Sequence, residues 1–215
     1  MLKVCSARLA FGSQPLLEGG FTIKAGEILT ITGPSGSGKS TLLQWLIGAP
    51  PADLQAQGQI WLNERRCDVL PTERRQIGIL FQEPLLFTHL SVGENLLLGI
   101  PGGWRQRTRR RALADDALES AGLGGFARRD PATLSGGQKA RIGLLRALLA
   151  HPQALLLDEP FAHLDPELRH QFRQWVFSEL ARLQIPVILV SHHQEDIPAS
   201  GRVIRINNGS LVATG

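Results

Sequence analysis

An α/β fold with helices covering a largely parallel sheet is predicted for this 215-residue chain by three observations. Continuous apolar runs such as Ala154-Leu-Leu-Leu157 and Val187-Ile-Leu-Val190 read as strands buried on both faces, the habit of parallel strands between helix layers. The segment Gly33-Pro-Ser-Gly-Ser-Gly-Lys39-Ser40-Thr41 stands between strand-like Ile28–Ile31 and helix-like Leu42–Ile47, and so reads as a phosphate-binding loop. With 43% hydrophobic residues the chain can bury one sizeable core, with room for an inserted subdomain but hardly for a second full domain.

The elements follow in order. Leu2–Leu9, Phe21–Ile23 and Glu27–Thr32 are β-rich runs and predict a β-rich N-terminal subdomain leading into the loop. Ile77–Phe81 is the next strand. The texture then changes: Ser91–Leu98 and Thr108–Ala121 read as helices joined by the Gly/Pro-rich turn Gly99–Gly103, and Lys139–Ala150 is a further helical run. Residues of about 85–149 are therefore expected to be an inserted α-helical subdomain, with 1–84 and 150–215 forming the α/β core. The strands Ala154–Leu157 and Val187–Ser191 follow, and Val203–Val212 predicts a hairpin turning at Asn208-Gly209.

Charge and composition exclude several classes. The formal net charge of +4 is modest, and much of the excess lies in Arg105, Arg107, Arg109, Arg110 and Arg111, read as a solvated helix end; no nucleic-acid partner is expected. Cys5 and Cys67 are too few and too scattered for a disulfide framework or a zinc site. No apolar run approaches the roughly 20 residues that cross a bilayer, and the N-terminus lacks a signal-peptide apolar region. A soluble, cytoplasmic chain is expected.

Three elements carry chemistry. In the loop, Gly33, Gly36 and Gly38 let the backbone curl, so that N–H groups along Gly33, Pro34, Ser35, Gly36, Ser37, Gly38, Lys39, Ser40 and Thr41 surround phosphate oxygens at a helix N-terminus. Lys39 reaches the β- and γ-phosphates and Ser40 holds Mg²⁺. Leu155-Leu-Leu-Asp158-Glu159-Pro160 delivers two carboxylates to the C-terminal end of a buried strand, where open α/β sheets bind ligands. Asp158 suits the Mg²⁺ shell, and Glu159 suits a general base for the attacking water. Leu134-Ser135-Gly136-Gly137-Gln138 opens a helix and makes a second phosphate grip.

Together with Gln82 after its strand, Ala162-His163-Leu164-Asp165 after the carboxylates and His192 after Val190-Ser191, this set resembles the ATP-binding cassette (ABC) ATPases in order and spacing over essentially the whole chain. The resemblance implies a P-loop NTPase core that hydrolyses ATP with Mg²⁺. It also implies a head-to-tail dimer of two copies, each ATP lying between the Gly33–Thr41 loop of one and Ser135, Gly136, Gly137 and Gln138 of the other. It assigns Gln82 to Mg²⁺ and the attacking water, His192 to the γ-phosphate, Asp165 to the dimer seam and Phe11 to the adenine face. Two departures are visible: the family's usual Ser-Ala-Leu-Asp reads Ala162-His163-Leu164-Asp165, and His193 stands where an Asp commonly follows the histidine.

Pro71–Arg75 and Ile77–Asn95 are similar to importer-type subunits serving thiamine, ferric iron, polyamines, sulfate or maltose. In these, the surface after Gln82 accepts a short helix of a membrane permease, a role for which Leu85, Leu86, Phe87 and Leu90 are candidates. The expectation is an energy-coupling subunit at the cytoplasmic face of the inner membrane, held there by permease subunits and served indirectly by a periplasmic binding protein. The rivals are a non-transport cassette ATPase of DNA maintenance or translation, and an exporter or lipid-extraction subunit. Substrate choice is expected to reside in the permease and binding protein, and no substrate-sensing domain is expected beyond Gly215.

Overall fold

The computed structural model describes residues 1–102, 106–162 and 164–214. The far end of the turn at Gly99–Gly103, Arg105 and His163 lie outside the described residues.

β1 (Leu2–Phe11) alternates in burial through Leu2 and Val4, then resumes at Ala7 and Leu9. The shift from Val4 to Ala7 breaks a strict period of two, and a β-bulge at positive-φ Ser6 absorbs the extra residue, keeping both halves of the strand facing the core. β2 (Gln14–Ile23) and β4 (Leu54–Leu62) pair antiparallel on either side of β1. The sequence signals only the last three residues of β2, and β4 not at all. The Leu54-Gln-Ala-Gln-Gly-Gln stretch alternates glutamines with non-polar residues, but Ala56 and Gly58 offer little apolar surface at the middle positions, and pairing with the open backbone of β1 holds it as a strand.

The parallel half is as expected. β3 (Ile28–Thr32) lies between β8 (Val187–Val190) and β9 (Arg202–Asn207), and β8 pairs in parallel with β7 (Ala154–Asp158). β10 (Ser210–Thr214) returns antiparallel on β9 through Asn208 and Gly209, both at positive φ as a tight hairpin turn requires. With β5 (Arg65–Arg66) and β6 (Ile77–Leu80) at its edges, the sheet has the order β5-β4-β1-β2-β10-β9-β3-β8-β7-β6.

Two compact units divide the chain: Met1–Ile79 with Gln153–Glu159 and Glu179–Gly215, and Leu80–Pro152 with Pro160–Ser178. The segment of about 85–149 expected as an insertion falls wholly in the second unit, which also takes in 160–178. That unit holds α3 (Val92–Gly99), α4 (Arg107–Ser120) and α5 (Gly136–Leu149). Val92, Leu96, Ala114, Leu118, Ile142 and Leu145 form its buried cluster. α6 (Pro166–Leu183) begins there, where Phe161 packs edge-on against Phe172. No helix among the described residues is long and apolar enough to cross a membrane.

In the first unit, α1 (Lys39–Ile47) ends at left-handed Gly48, and a Cβ there would come within 2.6 Å of the Arg75 guanidinium. Arg75 closes α2 (Thr72–Arg75) and is buried, 7% exposed. Its guanidinium donates to the carbonyls of Trp45 and Leu46 at 2.8 and 3.0 Å, of Leu70 at 2.9 Å and of Asp68 at 3.0 Å. A cation at a helix C-terminus suits the dipole, and the fork satisfies carbonyls that the last turn leaves open. Burial lowers its pKa from the ordinary arginine value. Arg75→Met removes the donors and keeps the stem. Hydrogen bonds to a charged group are worth about 1.5–3 kcal/mol each and do not add fully, so a loss of about 3 kcal/mol or more is expected. Urea unfolding checks it, and an unchanged midpoint would refute the role.

Candidate functional site

The loop from Gly33 to Lys39 joins the buried strand β3 to α1. Gly33 and Gly38 have φ of 155° and 93°, in the region that favours glycine. Space excludes a side chain as well: a Cβ at Gly33 would lie 3.0 Å from Ser37 Oγ, and one at Gly38 would lie 2.9 Å from Leu16 Cγ. Leu16, unsignalled in the sequence, thus packs beneath the loop. Lys39 is 7% exposed and folds back over the loop, Nζ donating to the carbonyls of Gly33 at 2.9 Å and Pro34 at 2.8 Å. Ser37 Oγ is buried without a hydrogen-bond partner in the described protein. A curled backbone, a cation over its mouth and an orphaned hydroxyl form a donor-rich cradle, the chemistry a phosphate chain requires.

β7 brings the carboxylates to the same end of the sheet, Asp158 pairing in register with Val190 of β8. Asp158 is buried and accepts a hydrogen bond from Ser40, while Lys39 lies close enough to interact with it. Burial raises its pKa above the ordinary aspartate value, neighbouring Glu159 adds to the rise, and Ser40 and Lys39 oppose it. A hydroxyl beside a carboxylate supplies hard oxygen ligands, and Mg²⁺ is commonly held by one or two such groups with substrate phosphates completing its shell. The donors present therefore fit that ion.

The raised pKa has a sign. The folded chain binds the Asp158 proton more tightly than the unfolded chain, so this group's contribution to stability falls as pH climbs through its raised range. Asp158→Asn removes the desolvated charge. Its melting temperature at pH 7 without nucleotide is expected to equal or exceed that of the unsubstituted chain, and the further stabilisation that Mg²⁺ adds to ATP alone is expected to be lost. A lower melting temperature in calorimetry would contradict this account.

Glu159 sits at φ 44°, rarely adopted by a side-chain-bearing residue, with its N–H donating to the Val190 carbonyl at 3.0 Å. Its Oε2 lies 3.2 Å from His192 Nδ1, an ion pair whenever the ring is protonated. The His192 and His193 rings are 3.9 Å apart. Behind them, buried Ser191 Oγ donates to buried Asp196 at 2.6 Å and accepts from the His193 N–H at 3.1 Å, which sets the path of the histidine loop. A Ser and an Asp five residues apart, as Ser191 and Asp196 are, carry no site signal in the sequence until the loop closes. Gly33, Pro34, His192, His193 and Arg205 line a cleft of about 590 Å³.

Lys39, Ser40, Asp158, Glu159 and His192 are thus brought together in the first unit, with Thr41 in the first turn of α1. Phe11 is half-buried at the end of β1. The remaining candidates belong to the second unit. Exposed Gln82 follows β6. Ser135 caps α5: its Oγ accepts from the Gln138 N–H at 3.3 Å, and Gln138 Oε1 accepts from the Ser135 N–H at 3.0 Å, leaving Gly136 and Gly137 in the helix's first turn. Asp165 Oδ1 accepts from the Leu168 N–H at 3.0 Å and so caps α6.

Residues 17–162 match the family described as ABC transporter. An uncharacterized ABC transporter ATP-binding protein, YnjD of Escherichia coli K12, is 56% identical over 205 residues, covering 95% of this chain and 94% of that one. The sulfate/thiosulfate import ATP-binding protein CysA of Nephroselmis olivacea is 38% identical over 90% of this chain, which spans only 56% of that relative's length. Among solved structures, the dimeric ATP-binding cassette MJ0796 bound to ADP and Pi superposes with a TM-score of 0.82 at 29% identity, covering 98% of this chain and 96% of that one.

Proposed function

Because this chain belongs to the ABC transporter family, we propose that it is the ATP-hydrolysing, energy-coupling subunit of an importer, acting as a head-to-tail dimer on separate membrane permease subunits. The observation that carries the reading is the cradle itself: Lys39 held across the Gly33 and Pro34 carbonyls beside the Ser40–Asp158 pair. On ATP binding, Lys39 Nζ leaves those carbonyls for β- and γ-phosphate oxygens, with loop N–H groups taking the remainder. Ser40 and Asp158 would hold Mg²⁺, to which the family resemblance also assigns Gln82, and the ion would supply a counter-charge for the phosphate oxygens.

Glu159 accepts a proton from water as its oxygen bonds to the γ-phosphorus; the bond to the bridging oxygen breaks, and ADP and phosphate leave. His192, half exposed and within reach of Glu159, orients that carboxylate and meets the γ-phosphate. The Ser135–Gln138 turn of one copy covers the nucleotide of the other, Asp165 lies at the seam, and Phe11 stacks on adenine. Stacking needs only a ring face, which Phe supplies.

The partner assignment rests on the turn after Gln82, where Leu85 and Phe87 are 57% and 47% exposed and leave apolar surface open to a partner. Import is favoured over export because relatives named as sulfate/thiosulfate import proteins match along nearly the whole chain. A periplasmic binding protein and a place at the cytoplasmic face of the inner membrane follow from that reading. The test is capture of tagged Glu159→Gln protein with ATP from detergent-solubilised membranes. Co-purification of a polytopic permease is the expected result; recovery of only soluble DNA- or ribosome-associated chains would overturn the transport role.

A further inference from the structure

Asn95 is fully buried in α3, and its amide addresses a single turn. Its Oδ1 accepts from the Phe87 N–H at 2.8 Å, and its Nδ2 donates to the carbonyls of Phe87 at 3.0 Å, Leu90 at 3.2 Å and Ser91 at 3.0 Å. From the other side of the turn, half-buried Arg146 of α5 donates to the carbonyls of Leu85 at 3.1 Å and Pro84 at 3.2 Å, with its guanidinium carbon 5.7 Å from the centre of the Phe87 ring. The segment so held includes Leu85 at φ 40°, a conformation that an exposed leucine keeps only when its surroundings impose it. The Ser91–Glu94 capping box anchors the turn's C-terminal end.

A buried asparagine whose amide oxygen accepts from one exposed turn and whose two N–H hydrogens are shared among that turn's carbonyls is not explained by apolar packing, since leucine would fill the space without polar atoms to satisfy. We propose that Asn95 and Arg146 are positioning residues for coupling: they hold Pro84–Leu90 in one shape before any partner arrives, so that Leu85 and Phe87 form a ready seat for a short apolar helix of the permease. The inference rests on the transport reading above. Pre-organisation removes the ordering cost that a loose turn of this length would add to every docking event. Neither residue belongs to the ATP-binding or hydrolysing set, so coupling and basal hydrolysis are separable.

The experiment uses the full chain carrying Asn95→Leu, Arg146→Met or Arg146→Lys. Hydrogen exchange of the isolated protein reads the Phe87 and Leu90 amides. Asn95→Leu and Arg146→Met are expected to speed exchange at those amides tenfold or more, hold the basal ATPase rate within twofold and lose the permease in capture from detergent-solubilised membranes. Arg146→Lys, which still offers an ammonium to the two carbonyls, is expected to recover it. Unchanged exchange, retained capture, or a basal rate that falls along with capture would overturn the proposal. Should the chain without these substitutions itself capture no permease, the transport reading fails, while exchange still decides whether the two residues hold the turn.

Discussion

Glu159→Gln is expected to cut steady-state ATP hydrolysis by about 10²–10⁴-fold while ATP still binds, the span typical of losing a positioned general base. Gln has the same shape and can keep a contact with His192, which lies 3.2 Å from the carboxylate, but it cannot take a proton from water. Binding depends on the loop and Lys39, which the substitution leaves alone. The variant is therefore expected to stall with ATP bound and to elute as a dimer in gel filtration with ATP and Mg²⁺, returning to monomer when ATP is withdrawn. Hydrolysis at the unsubstituted rate would remove Glu159 from the role of base.

Lys39→Ala is expected to weaken ATP binding by about 100-fold or more and to abolish turnover. Two hydrogen bonds from one ammonium to phosphate oxygens, at about 1.5–3 kcal/mol each, amount to at least that factor at roughly 1.4 kcal/mol per tenfold. The fold should tolerate the change, because Pro34 is exposed and water can replace Nζ at its carbonyl. A fluorescent-nucleotide titration with a melting curve separates the two effects. Binding near the unsubstituted affinity would show that the carbonyl contacts of Lys39 are its whole role.

Local patterns carried much of the fold. The parallel strands were legible because burial on both faces leaves an unbroken apolar run, as in Leu155-Leu-Leu157 and Val187–Val190, and the hairpin because Asn208-Gly209 suits positive φ at both positions. Ser91 and Ser135 were equally readable as helix starts, each with its capping partner three residues on. β4 and the first part of β2 were not, since Ala56 and Gly58 in one and Gly19 and Gly20 in the other put small residues where a strand face usually shows large apolar ones, and pairing with β1 holds both in place.

The same division holds at the site. The order of the Gly33–Thr41 loop, Ser135–Gln138, Asp158-Glu159 and His192 was plain in the chain, because each motif is a short contiguous piece of backbone chemistry. Ser191–Asp196 behind the histidine loop, Arg75 on the end of α1, and Asn95 with Arg146 under the exposed turn were not. Arg75 and Arg146 look like surface arginines in the sequence, and Asn95 like an ordinary polar residue in a helix. The family and the order of the glycine-rich loop, the capped helix and the paired carboxylates are legible in residue order alone. Which polar side chains lie buried, and which backbone carbonyls they serve, emerges from packing, since burial depends on what the rest of the chain lays against them, and an interior polar group must find its partner there.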